Sequence, residues 1–71
     1  MNTFINIDGD QNLFKGEMII NLGRMLPSGL GIMKFENGSI YEGYWQNGTR
    51  RGYGRLIQLN GNMYEGIWKD D

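Results

Sequence analysis

In Tyr41-Glu42-Gly43-Tyr44-Trp45, and again in Tyr64-Glu65-Gly66-Ile67-Trp68, every second position carries a ring or a glycine. On an extended strand that spacing sets Tyr41, Gly43 and Trp45 on one face, and likewise Tyr64, Gly66 and Trp68. Glu42, Tyr44, Glu65 and Ile67 then point the other way. The two stretches lie 23 residues apart (64 − 41). The same offset carries Gly29-Leu30-Gly31 onto Gly52-Tyr53-Gly54, and Asn37-Gly38 onto Asn60-Gly61. Coincidence of so many glycine and aromatic positions at one offset marks an internal repeat. Asn and Gly interrupt every helical window. The pattern therefore predicts an all-β chain: an antiparallel meander of β-hairpins, about six strands in a twisted single-layer sheet. Strands are expected near residues 3–8, 13–20, 30–35, 39–45, 53–59 and 62–68.

Asn-Gly between strand-forming residues is the strongest short hairpin signal. Two-residue turns at Asn37-Gly38 and Asn60-Gly61 would place Lys34 opposite Tyr41, Ile32 opposite Gly43 and Leu30 opposite Trp45. In the second hairpin Ile57 would face Tyr64, Arg55 would face Gly66 and Tyr53 would face Trp68. On the other face Phe35 would pair with Ile40, and Leu56 with Glu65. Gly43 and Gly66 would each leave a gap between two rings, across which Ile32 or Arg55 could lie. Gly29, Gly31, Gly52 and Gly54 read as entrances to strands. All six glycines are assigned structural roles.

The run Tyr-Glu-Gly-Tyr-Trp-Gln-Asn-Gly from Tyr41, then Gly52-Tyr53-Gly54, Asn60-Gly61 and Tyr64-Glu65-Gly66-Ile67-Trp68, resembles the MORN repeat, whose pattern is YxGxW, a short loop and GxG. The resemblance is tight from Gly29 to Trp68 and loosens upstream. There Phe14-Lys15-Gly16-Glu17-Met18 looks like a degenerate YxGxW. The stretch from Met18 to Gly29 is four residues longer than that from Trp45 to Gly52 (11 against 7 steps). One domain spanning 1–71 is inferred, with 1–28 a divergent amino-terminal repeat or cap, 29–51 one repeat and 52–71 another. Atypical end repeats are usual in stacked arrays.

Composition narrows the function. A chain of 71 residues forms a thin domain with a narrow stability margin. It has no cysteine and no histidine, which excludes Ser-His and Cys-His nucleophile systems and leaves no ligands for a structural zinc site. The hydroxyls of Thr3, Ser28, Ser39 and Thr49 stand beside no evident base. No catalytic residue, metal or cofactor is assigned, and enzymatic activity is not expected. Seven basic residues against eight acidic ones give a formal charge of −1, which argues against nucleic acid. The longest apolar run is Met18-Ile19-Ile20, far short of a membrane-spanning helix, and no secretory leader is evident at Met1. A cytoplasmic location follows by default.

Four features invite a sharper reading. Tyr41, Trp45, Tyr64 and Trp68 could line a ligand trough or form the core of a thin sheet, and the core has the greater weight. Arg50-Arg51, with Arg55 and Lys69, could bind an anion or phosphoinositide, but stable electrostatic anchoring needs a cluster of about 4–8 basic residues. Asp8-Gly9-Asp10 resembles the opening of a calcium loop only superficially, and a turn is the better reading. Gly29-Leu30-Gly31 and Gly52-Tyr53-Gly54 lack the following helix and lysine of a nucleotide loop.

The resemblance implies a non-catalytic protein–protein interaction module: a scaffold, adaptor or small accessory subunit. Two alternatives stand beside it. One is a stand-alone inhibitor or regulator docking on an enzyme, including the kind made by phages, which the start at Met1 favours. The other is a peripheral phospholipid-binding module, which the charge balance disfavours. The partner is expected on the carboxy-terminal hairpin, either another protein or a second copy. The candidate contact residues are Tyr53, Arg55, Tyr64 and Trp68, with Tyr41 and Trp45.

Overall fold

A computed structural model describes residues 3–6 and 11–69. Among them every regular element is a strand: β1 (Leu13–Asn21), β2 (Arg24–Lys34), β3 (Ile40–Gln46), β4 (Thr49–Ile57) and β5 (Met63–Trp68). They pair in chain order as one antiparallel sheet, so the chain is a hairpin meander. The sheet has five strands where about six were expected. Of the expected first strand, residues 3–6 contribute an isolated bridge, Ile5 to Phe14, and Asp8-Gly9-Asp10 lies outside the described residues. β2 begins at Arg24 and β4 at Thr49, so both GxG elements sit inside strands rather than at their entrances.

The turns account for the longer strands. Asn47-Gly48 closes a two-residue turn between paired Gln46 and Thr49, with φ of 50° at Asn47. Such a turn needs positive φ at both central residues, which Asn-Gly supplies. Asn37-Gly38 instead belongs to a three-residue connection. Phe35 N donates to Ser39 O at 2.8 Å and Gly38 N donates to Phe35 O at 3.0 Å. The Asn37 side chain accepts from Ser39 N at 2.9 Å, and Gly38 closes the turn at φ 93°. The segment Gln58–Asn62 repeats this arrangement.

One extra residue in each connection moves the register by one. Met33 faces Tyr41, Gly31 faces Gly43 and Gly29 faces Trp45; Leu56 faces Tyr64, Gly54 faces Gly66 and Gly52 faces Trp68. The expected pairs, including Ile32 with Gly43, Arg55 with Gly66, Tyr53 with Trp68, Phe35 with Ile40 and Leu56 with Glu65, are therefore each displaced. A one-residue slip exchanges the two faces of the partner strand, so Ile32 and Arg55 lie away from the rings. Glycine now faces glycine across the whole sheet, through Gly16, Gly31, Gly43, Gly54 and Gly66. The four additional residues upstream lengthen the β1–β2 hairpin by two pairs, Ile20 with Met25 and Asn21 with Arg24.

The glycine row lets rings lie flat on the backbone. A Cβ on Gly31 would fall inside the Phe14 ring, and one on Gly54 inside the Tyr41 phenol. Both rings are fully buried. Each tryptophan then donates its indole N–H to one of these glycine carbonyls: Trp45 to Gly31 O at 3.3 Å, Trp68 to Gly54 O at 3.0 Å. Phe14, Trp45, Tyr41 and Trp68 meet edge to face in series, with centroids 5.6, 5.1 and 5.5 Å apart. The Cα envelope of 35 × 24 × 20 Å is about twice as thick as a flat layer with its side chains, about 10 Å, so the sheet coils around its aromatic face. Met33, Met18, Phe35 and Leu56 complete the core.

Two outcomes follow. Gly54→Ala is expected to destabilise by about 1–3 kcal/mol in urea unfolding, and the cost should shrink in a Tyr41→Leu background, because the ring is what the methyl meets. Leu22, in the β1–β2 turn, holds φ 53° and is 95% exposed. The left-handed conformation costs an ordinary side chain roughly 1–2 kcal/mol and asparagine less, so Leu22→Asn is expected to raise the unfolding midpoint.

Candidate protein-binding surface

The face opposite the rings is solvent-facing and carries its own pattern. Across the strands runs a row of Lys15, Ile32, Glu42, Arg55 and Glu65, each opposite the next. Arg55 Nη2 donates to Glu42 Oε1 at 2.7 Å, and the Tyr53 hydroxyl donates to Glu65 Oε2. Beside this row lie Leu30 opposite Tyr44, and Tyr53 opposite Ile67. These four side chains are 53%, 49%, 51% and 71% exposed. Leu30, Tyr44 and Tyr53 border an open hollow of about 340 Å³, floored by Gly43 and walled by Glu42, Arg55 and Glu65. An adjoining hollow of about 330 Å³ reaches Lys15 and Ile32.

Arg55 is paired with Glu42 here, and Glu65 is engaged by the Tyr53 hydroxyl. The bond from Tyr53 to Glu65 raises the phenol pKa above its ordinary value, with desolvation and the carboxylate's charge acting in the same direction. Glu42, through its hydrogen bond and its charge, raises Arg55. What remains for a ligand is apolar and aromatic surface with hydrogen-bonding edges, the composition of many protein interfaces.

Where the β1–β2 register shifts between Gly16 and Met18, Glu17 accepts from Leu30 N at 2.6 Å, and a Cβ on Gly29 would strike that carboxylate. The glycine thus leaves the acid room to satisfy the amide and hold Leu30 in place. Its counterpart Gly52 lies against Tyr44, where a Cβ would stand 3.4 Å from the Tyr44 Cβ.

The candidate residues divide between the faces. Tyr41 and Trp45 are buried core, Trp68 is half-buried beside them, and Tyr64 is 51% exposed at the sheet edge. Tyr53 and Arg55 stand on the opposite face, so they do not join Tyr64 and Trp68 in one patch as the expected register required. Gly66 is not packed between rings either: a Cβ there meets nothing within 4 Å. The basic residues are also dispersed. Arg50 lies over the rings of Phe35, Tyr41 and Trp68, its guanidinium 5.6, 5.6 and 5.1 Å from their centroids. Arg55 is bound to Glu42, and Arg51 borders a shallow hollow with Gln46, Asn47 and Thr49.

Leu30, Tyr44 and Ile67 were not singled out from sequence. The alternation already turned Tyr44 and Ile67 outward. Leu30 and Tyr53 joined them only once the turn length, and with it the register, was fixed.

A single-layer hairpin meander with repeated glycine rows and an outward aromatic face defines a β-repeat binding module. The MORN repeat family model matches residues 26–40, 41–63 and 64–71, more than half of the chain, and the chain belongs to this family. The family consists of protein- and lipid-binding repeat modules that are generally non-catalytic. No curated protein gives a significant match.

A raised phenol pKa favours the protonated form in the fold. The stabilisation from the Tyr53–Glu65 bond is therefore present below pH about 10, the ordinary tyrosine value, and disappears as pH rises through the higher folded value. Glu65→Gln is expected to bring the Tyr53 titration back toward that ordinary value, read by NMR of ¹³C-labelled tyrosine rings.

Proposed function

We propose that this protein is a non-catalytic protein–protein interaction module of the cytoplasm, a scaffold, adaptor or small accessory subunit. The observation that carries the reading is the outward face itself. Leu30, Tyr44, Tyr53 and Ile67 are about half exposed or more, adjacent, and set on one sheet beside the Arg55–Glu42 ion pair and the Tyr53–Glu65 hydrogen bond. Tyrosine supplies large contact area at little conformational cost, and such residues carry much of the energy in many interfaces. The surface would serve equally if the module regulates one enzyme by docking on it. The phospholipid reading has less support, because Arg50 is engaged with rings and Arg55 with a carboxylate. The partner surface extends toward the carboxy-terminal hairpin through Tyr53 and Ile67.

The test is affinity capture from the native source, comparing the wild-type chain with Tyr44→Ser and Tyr53→Ser, each first shown to keep its circular dichroism and unfolding midpoint. A protein bound by the wild type is expected to lose about tenfold or more in affinity on either change, about 1.4 kcal/mol. Undiminished binding by both variants would move the partner off this face. Tight, salt-sensitive association with anionic vesicles would instead favour the lipid reading.

A further inference from the structure

Three Asn-Gly pairs close turns in this chain, and the sheet does not hold them alike. An asparagine before glycine is open to attack by the next backbone nitrogen on its own side-chain amide, because glycine sets no Cβ beside that nitrogen. Asn37-Gly38 and Asn60-Gly61 are each held twice. Gly38 N donates to Phe35 O at 3.0 Å and Gly61 N to Gln58 O at 2.9 Å. The two asparagine side chains accept from Ser39 N at 2.9 Å and from Asn62 N at 3.0 Å. Both the nitrogen that would attack and the amide it would attack are thereby engaged. These two asparagines share a hollow of about 400 Å³ with Ser39, Gln58 and Leu59, and none of those side chains carries a charge.

Asn47-Gly48 is held once. Gly48 N donates to Pro27 O at 2.8 Å, but the exposed Asn47 side chain has no hydrogen-bond partner among the described residues. Asn47 lines a hollow of about 320 Å³ with Gln46, Thr49 and Arg51. Arg51 therefore brings a positive charge to the place where attack by Gly48 N would build a negative one. A nearby cation favours both the deprotonated amide and the oxyanion that forms on the Asn47 side chain.

We infer that Asn47 is a site of self-modification, at which the folded chain, assisted by Arg51, deamidates through a cyclic imide faster than at its other two Asn-Gly pairs. The step balances with water alone. Gly48 N loses its proton to solvent and bonds to Asn47 Cγ, and the side-chain nitrogen leaves as ammonia. Water then adds to one of the two imide carbonyls. Cleavage at Cγ gives an aspartate at position 47; cleavage at the backbone carbonyl gives an isoaspartate, whose main chain is longer by a methylene. The aspartate suits the turn, since it tolerates the left-handed φ of 50° there, and its carboxylate enters the hollow that Arg51 lines. The isoaspartate does not, because an additional backbone atom displaces the Gln46–Thr49 pair that the two-residue turn closes. Either product takes the formal charge from −1 to −2 (−1 − 1). The change needs no partner and is independent of the binding role proposed above.

The test incubates the wild-type chain at neutral and mildly alkaline pH. Each Asn-Gly peptide is followed by mass spectrometry for the gain that marks an amide nitrogen exchanged for oxygen. Conversion at Asn47 is expected to lead that at Asn37 and Asn60 by about two- to tenfold, the factor set by one fewer hydrogen bond to open. Isoaspartate should appear there beside aspartate. Arg51→Gln should slow Asn47 while leaving the other two rates unchanged, and Arg51→Lys should keep the wild-type rate, both at unchanged circular dichroism. In urea, where the turns are lost, the three rates should draw together. The proposal is overturned if Asn37 or Asn60 converts as fast in the folded chain, or if position 47 yields aspartate without isoaspartate. It is overturned too if the lead of Asn47 persists in urea, or if Arg51→Gln leaves that lead intact.

Discussion

The structure depends on rings lying directly on backbone. In most sheets side chains pack on side chains, but here Phe14 and Tyr41 press against Gly31 and Gly54, where any Cβ would occupy the ring's own volume. A glycine inside a strand costs roughly 0.5–1 kcal/mol in backbone entropy. Burying an aromatic side chain removes about 150–250 Å² from water, worth roughly 4–6 kcal/mol at about 25 cal/mol per Å². The exchange favours the glycine by a wide margin. It is what allows one layer to enclose two fully buried rings with no second sheet or helix above them among the described residues. The two tryptophan N–H bonds to glycine carbonyls tie each repeat to the one before it, so the core is a relay along the sheet, with each repeat touching its neighbours.

Much of this was legible in the chain. The 23-residue offset, the all-β class and the facing of Tyr41, Gly43 and Trp45 came from alternation and turn residues alone. The register did not, and the reason lies in turn chemistry. Asn-Gly is compatible both with a two-residue turn and with a three-residue turn closed by a left-handed glycine. Asn37 and Asn60 each bond a backbone amide two residues on, which selects the longer form. Asn47 occupies the two-residue form. Local sequence distinguishes the cases weakly, and a one-residue difference decides which side chains of the partner strand join the core. The error passed directly into the candidate site, placing Tyr53 and Arg55 with Trp68 when the fold sets them on the opposite face.

The long β1–β2 hairpin was legible as a four-residue excess but not as a structure. Its tip exposes Ile20 and Leu22, and Leu22 adopts a backbone conformation that favours asparagine or glycine. Local and global preferences conflict at this point, whereas elsewhere they agree. Nothing in the fold compensates for the conflict, since neither side chain is covered.

The two faces of the sheet therefore carry different burdens. The ring-bearing face holds the fold together and tolerates little change, because its glycines and aromatics are mutually fitted. Even Arg50, which sequence made a candidate for anion binding, is drawn over three of its rings. The outward face contributes paired charges and half-exposed tyrosines, and almost nothing in the core depends on what they are. A hairpin meander with short turns can vary that second face residue by residue while the first keeps its period. Under the proposed reading, this separation would let one architecture present different partners with different surfaces, with specificity carried by residues such as Leu30, Tyr44, Tyr53 and Ile67, outside the repeat's defining glycines and inward rings.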